Sequence, residues 1–155
     1  MTTASALPTI TVLALPSGEP HPAASPVRRV VADGSGSYPC RRCLRDAQVG
    51  DELLLLPYDP FPAPSPYAGE GPIYVHADGC PPYEDDGSVP GFITRRVSMS
   101  VRAYDADGML CDCDVMTGAE VEDRARAMLA AGAAFVHVHN AKPGCFMCTI
   151  AAALI

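Results

Sequence analysis

The cleanest alternation of apolar and polar positions runs from Arg96 to Tyr104. Val97, Met99, Val101 and Ala103 fall on one side, and Ser98, Ser100, Arg102 and Tyr104 on the other. Period two is the mark of a half-buried strand. Asp105-Ala-Asp-Gly108 predicts a hairpin turn and Met109–Val115 the returning strand. On that strand Cys111 and Cys113 share a side with Met109 and Val115, which assigns them to the core. Asp112 and Asp114 then point to solvent or across to Arg102. Thr117-Gly-Ala-Glu120 has the form of a capping box, with Thr117 and Glu120 satisfying each other's free amides. The helix it opens extends to about Ala131, carries the apolar stripe Val121, Ala125, Met128 and Leu129, and stops at Gly132. Ala134–Asn140 reads as a strand. After the turn Ala141–Gly144, Phe146–Leu154 reads as the last one.

The first half is broken by proline. Thr9–Leu13 is a short apolar run, and prolines 16, 20, 22 and 26 make the stretch after it an irregular loop. Val27–Val31 is a β-rich run, and Gly34–Ser37 turns the chain into Tyr38-Pro-Cys-Arg-Arg-Cys43. Asp51–Pro57 predicts a buried strand ended by its proline. Prolines 57, 60, 62, 64, 66 and 72 then mark an extended loop. Ile73–Ala77 places Ile73, Val75 and Ala77 on one side and Tyr74 and His76 on the other. Asp78–Pro90 is a second, acidic loop. The expected fold is α+β: a mostly antiparallel or mixed sheet with one main helix on one face. Residues 1–26 form an irregular Pro/Ala-rich segment with one strand, and residues 27–155 a single domain. Should the strands holding Tyr74 and His76, Ser100 and Arg102, and His137 and His139 be neighbours, their polar sides would make one candidate face.

Composition narrows the class. The 155 residues carry 11 basic against 18 acidic side chains, a net charge of −7, with no basic stripe. Nucleic acid is therefore not an expected partner. The start lacks a basic region and a long apolar core, and no run approaches a bilayer span, so a soluble, cytoplasmic protein without a membrane partner is expected. Seven cysteines in a reducing compartment point to free thiols, metal ligands or redox groups rather than disulfides.

Tyr38-Pro-Cys-Arg-Arg-Cys-Leu-Arg-Asp-Ala47, Gly50-Asp-Glu-Leu-Leu-Leu-Leu56, Ser65-Pro-Tyr67 and Gly71-Pro-Ile-Tyr-Val-His-Ala77 occur in that order. Arg102-Ala-Tyr-Asp-Ala-Asp-Gly108 and Val136-His-Val-His-Asn-Ala-Lys-Pro-Gly-Cys145 follow. As a set these motifs resemble the bacterial domain of unknown function 1203 family, over roughly residues 27–150. The resemblance implies a single domain of about this length in a bacterial cytoplasm, and no reaction.

Two Cys-x-x-Cys units carry the strongest chemical signal. Cys40, Cys43, Cys145 and Cys148 offer the four soft ligands that a tetrahedral zinc ion takes, with His76, Cys80 or His139 able to replace a cysteine. Against this set stand the long separation of the units, the lack of a glycine after either second cysteine, and the strand reading of Phe146–Leu154. That last reading sends Cys145 and Cys148 to opposite faces. Cys40-Arg-Arg-Cys43 alone permits a redox reading, since its arginines favour thiolate, but a thioredoxin-like motif needs a helix starting there. Three classes follow. The first is a small zinc- or ligand-binding protein using the paired cysteines. The second is an enzyme, either a thiol oxidoreductase on Cys40 and Cys43 or a site built from His76, Arg102 and His139. The third is an interaction domain that meets a protein partner through the loop from Pro57 to Pro72.

Overall fold

The computed structural model describes residues 7–15 and 27–153. Among them are two five-stranded sheets. The first joins β1 (Ile10–Leu13), β7 (Met99–Tyr104), β8 (Leu110–Met116), β9 (Phe135–Asn140) and β10 (Phe146–Ala152) in the order β1-β10-β9-β7-β8. All its pairings are antiparallel. The second joins β2 (Arg28–Val31), β3 (Pro39–Cys40), β4 (Arg45–Asp46), β5 (Glu52–Tyr58) and β6 (Gly71–His76) in the order β2-β5-β6-β3-β4. Its one parallel pairing sets Cys40 opposite Tyr74. The protein is mostly β with a small helical part: α1 (Gly91–Thr94), one 3-10 turn and α2 (Val121–Ala130). One sheet under one helix is thus corrected to two sheets and two short helices.

Alternation places the core. Met99, Val101 and Ala103 of β7 and Val136 and Val138 of β9 are buried, and they meet the α2 stripe Val121, Ala125, Met128 and Leu129. The capping box at Thr117 and Glu120 is formed. It leads in through Gly118, where a Cβ would overlap the Ile93 carbonyl at the end of α1, so only glycine fits. A second, smaller cluster, including Cys40, Cys43, Leu56, Ile73 and Val75, lies on the second sheet.

Two expectations fail here for physical reasons. Strand β5 runs through Pro57, because Pro57 sits opposite Pro72 and the two residues lacking an N–H share one rung of the ladder. Cys111 and Cys113 are exposed rather than buried, since β8 is the rim of its sheet and nothing among the described residues covers that side. Their neighbours Asp112 and Asp114 each bind Arg124 of α2 at 3.1 Å, and each also accepts the following amide, from Cys113 and Val115, at 2.8 Å. The expectation for 17–25 lies outside the described residues. Among those described, no helix is long and apolar enough to cross a membrane.

Candidate metal centre

Strand β3 ends at Cys40, and the chain turns through Arg41–Leu44 into β4. Leu44 takes the left-handed conformation, φ 52°. It is the non-glycine residue standing where a compact cysteine turn commonly has glycine, and its amide closes the turn onto the Cys40 carbonyl at 3.0 Å. His76 ends β6, the strand on which β3 pairs. Gly79, at φ 89°, then bends the chain back, and the Tyr83 amide ties the returning loop to the Arg42 carbonyl at 3.0 Å. Cys80 is thereby carried to Cys40.

The result is a cluster of Cys40, Cys43, His76 and Cys80 that could hold a metal, its four donor atoms all within 4.8 Å of one another. Cys40 Sγ lies 3.8 Å from Cys80 Sγ, and Cys43 Sγ lies 3.7 Å from His76 Nδ1. Metal–ligand lengths of about 2.3 Å to sulfur and about 2.0 Å to nitrogen make tetrahedral edges of about 3.8 and about 3.5 Å. These two edges fall near those values, and the other four are within 4.8 Å. Asp51, at the head of β5, holds His76 Nε2 at 3.2 Å. A carboxylate there fixes the ring so that Nδ1 offers its lone pair to the centre, the arrangement usual behind a metal-bound histidine.

The electrostatics separate the three thiols. Cys40 is drawn down to about 4, first because the Cys43 thiol donates to its sulfur and then because the amides of Cys43, His76 and Arg42 turn toward it, against the opposing effect of burial. Cys43 is raised, its proton held by Cys40 and its surroundings dry. Cys80 is raised by burial and by the negative charge of Cys40. Arg41, 1% exposed, sits beside the cluster and donates to the carbonyls of Phe146 and Pro39 at 2.7 and 2.6 Å. Burial lowers its affinity for its proton, and its contact with Cys145, with a smaller effect from Cys40, restores part of it.

The second Cys-x-x-Cys unit does not join the first. Cys148 is fully buried in the core under α2, where burial pushes its thiol up to about 12. Cys145 stands on the opposite side of β10, takes a hydrogen bond from Asn140 Nδ2 at 3.1 Å, and lines a cavity between the sheets. The candidate trio is divided as well. Arg102 and His139 lie on neighbouring strands of the first sheet, whereas His76 belongs to the second. No helix begins at Cys40 or Cys43, so the feature that a thioredoxin-like reading needs is missing. Asp51 was not singled out from the sequence, and Arg41 entered there only as one of the two arginines between the thiols. An aspartate two residues ahead of an apolar run gives no sign of the histidine it meets across a sheet.

The chain matches the family described as Protein of unknown function (DUF1203) over residues 37–151 of 155. It belongs to that family, and the match takes in all four residues of the cluster. No curated protein and no solved structure matches it.

Proposed function

We propose that this is a zinc-binding protein whose ion is held by Cys40, Cys43, Cys80 and Nδ1 of His76. The observation that carries the reading is the convergence of three sulfurs and one oriented imidazole within 4.8 Å of one another, two of the edges at tetrahedral length. Soft thiolates select zinc over magnesium or calcium, and four protein ligands leave no open position for substrate water. The ion's role is accordingly structural: it ties the β3–β4 turn, the end of β6 and the following loop. Three thiolates, a neutral imidazole and Zn²⁺ sum to −1, and the buried Arg41 guanidinium is the counter-charge.

Elemental mass spectrometry on protein purified without chelator tests this. About one zinc per chain is expected, with Cys40→Ser and Cys80→Ser both losing it. Cobalt substitution should give the visible absorption of a tetrahedral thiolate site. Metal-free protein that melts at the same temperature with and without added zinc would overturn the reading.

A further inference from the structure

A second site lies between the sheets, away from the cysteine cluster. The chain from Pro60 to Glu70 folds back over the polar side of β7 and β9 and leaves a cavity of about 250 Å³, just below the usual range of drug-sized ligand sites and so fitted to a smaller molecule. His137 forms its floor. The residue is 1% exposed, yet neither ring nitrogen has a hydrogen-bond partner among the described residues. Burying two such atoms unpaired costs stability, so their retention needs a reason, and the cavity supplies one. Around His137 stand Phe61, Tyr104 and Phe146, with ring centroids 5.0 to 5.3 Å away. His139 gives its Nδ1–H to the Gly144 carbonyl at 2.9 Å, which leaves Nε2 as an acceptor. Arg102 is opposite His137 in the ladder. Its guanidinium meets Ser100 Oγ at 3.4 Å and the Tyr104 hydroxyl, and no carboxylate pairs with it among the described residues.

One guanidinium without a carboxylate partner among the described residues, aromatic walls and two neutral imidazoles define an occupant. We propose that this cavity binds a small aromatic monocarboxylic acid carrying a hydrogen-bond donor: its carboxylate on Arg102, its ring among Phe61, Tyr104 and Phe146, and its donor on His139 or His137. A guanidinium holds a carboxylate through two parallel hydrogen bonds. The two histidines stay neutral at physiological pH, pushed down to about 3 and about 4 chiefly by burial. They therefore add polarity without adding positive charge. Glu70 at the mouth and a chain charge of −7 disfavour a dianion such as phosphate.

Titration calorimetry of the full chain with 4-hydroxybenzoate, benzoate, benzamide and inorganic phosphate tests the assignment. Saturable binding of 4-hydroxybenzoate is expected, tighter than benzoate and at least tenfold tighter than benzamide. Arg102→Gln should abolish that preference for the acid, and Arg102→Lys should keep part of it. His137→Phe fills the floor with an apolar ring and guards against misfolding as an explanation: it should raise the melting temperature while weakening 4-hydroxybenzoate. Equal binding of acid and amide, tighter binding of phosphate, no saturable binding of any probe, or an Arg102→Gln protein that binds like the parent would each overturn the proposal.

Discussion

Cys40 and Cys43 share their spacing with Cys145 and Cys148, yet the two pairs have opposite fates. The first pair sits in the five residues Cys40–Leu44, a turn whose last member, Leu44, is left-handed, and both sulfurs face one point. The second pair straddles the start of β10, where a bulge falls between Phe146 and Cys148. One of its sulfurs enters the core and the other lines the cavity. Spacing alone therefore does not make a ligand pair. The backbone between the cysteines decides: a turn gathers side chains on one side, and an extended strand parts them.

The largest expected effect comes from breaking the first pair. Cys40→Ser or Cys43→Ser should lose the ion and with it much of the stability of the second sheet, since a structural zinc site contributes on the order of 10 kcal/mol in small peptide hosts. A drop in melting temperature that chelator reproduces in the parent protein and does not deepen in the variant would check it. Cys145→Ser and Cys148→Ala should both retain about one zinc per chain; loss of metal from either would put the second pair back in the site.

A smaller effect tests the support behind His76. Asp51→Asn should weaken zinc by about 10- to 100-fold in chelator competition while leaving the bound stoichiometry intact. Cys148→Ser should cost about 1–3 kcal/mol in denaturant melts, because it buries a hydroxyl in the dry core under α2, and its zinc affinity should not change.

Acid distinguishes the surroundings of the two pairs. His137 and His139, which flank β10, have folded-state values near 3 and 4, below the unfolded 6.5. Between those limits the unfolded chain binds more protons than the folded one. Stability is therefore full above about pH 6.5 and falls as pH drops, by up to about 1.4 kcal/mol per unit for each histidine. Melts of metal-free protein from pH 7 to 4 should show this slope, and His137→Phe should make it shallower. A slope unchanged in that variant would remove His137 as a cause. The smallest effect is on labelling: Cys111 and Cys113 should react with a thiol reagent in the folded state, and Cys148 only on unfolding.

Local signals carried the second half of the chain well. The capping box, the α2 stripe, the Gly108 turn and the alternation of β7 from Met99 to Ala103 are each written within a few residues, and the structure forms them, whereas Val97 stays exposed outside the strand and both sides of β9 are buried. The first half depends on pairings between distant residues. Nothing near Cys40 shows that β3 will lie beside β6, and only that neighbourhood selects His76 and Cys80 as its companions. The H-x-x-x-C spacing was legible as an alternative ligand pair. Its selection over Cys145 and Cys148 was not, because it depends on which sheet each strand joins. The exposed β8 misled for a related reason: its alternation is that of a covered strand, but its place at the rim is a property of the whole sheet.

The rim of the first sheet has a bearing on how these molecules behave in company. An uncovered outer strand ordinarily invites a strand from another chain to pair with it, which is a common route to aggregation. On β8 the amides of Cys113 and Val115 are already occupied by the carboxylates of Asp112 and Asp114, which Arg124 holds in place from α2. Two of the donors a foreign strand would seek are thus spoken for by the chain itself, and an incoming backbone would meet fixed charge. The two aspartates make a poor template of the strand that is most open to one.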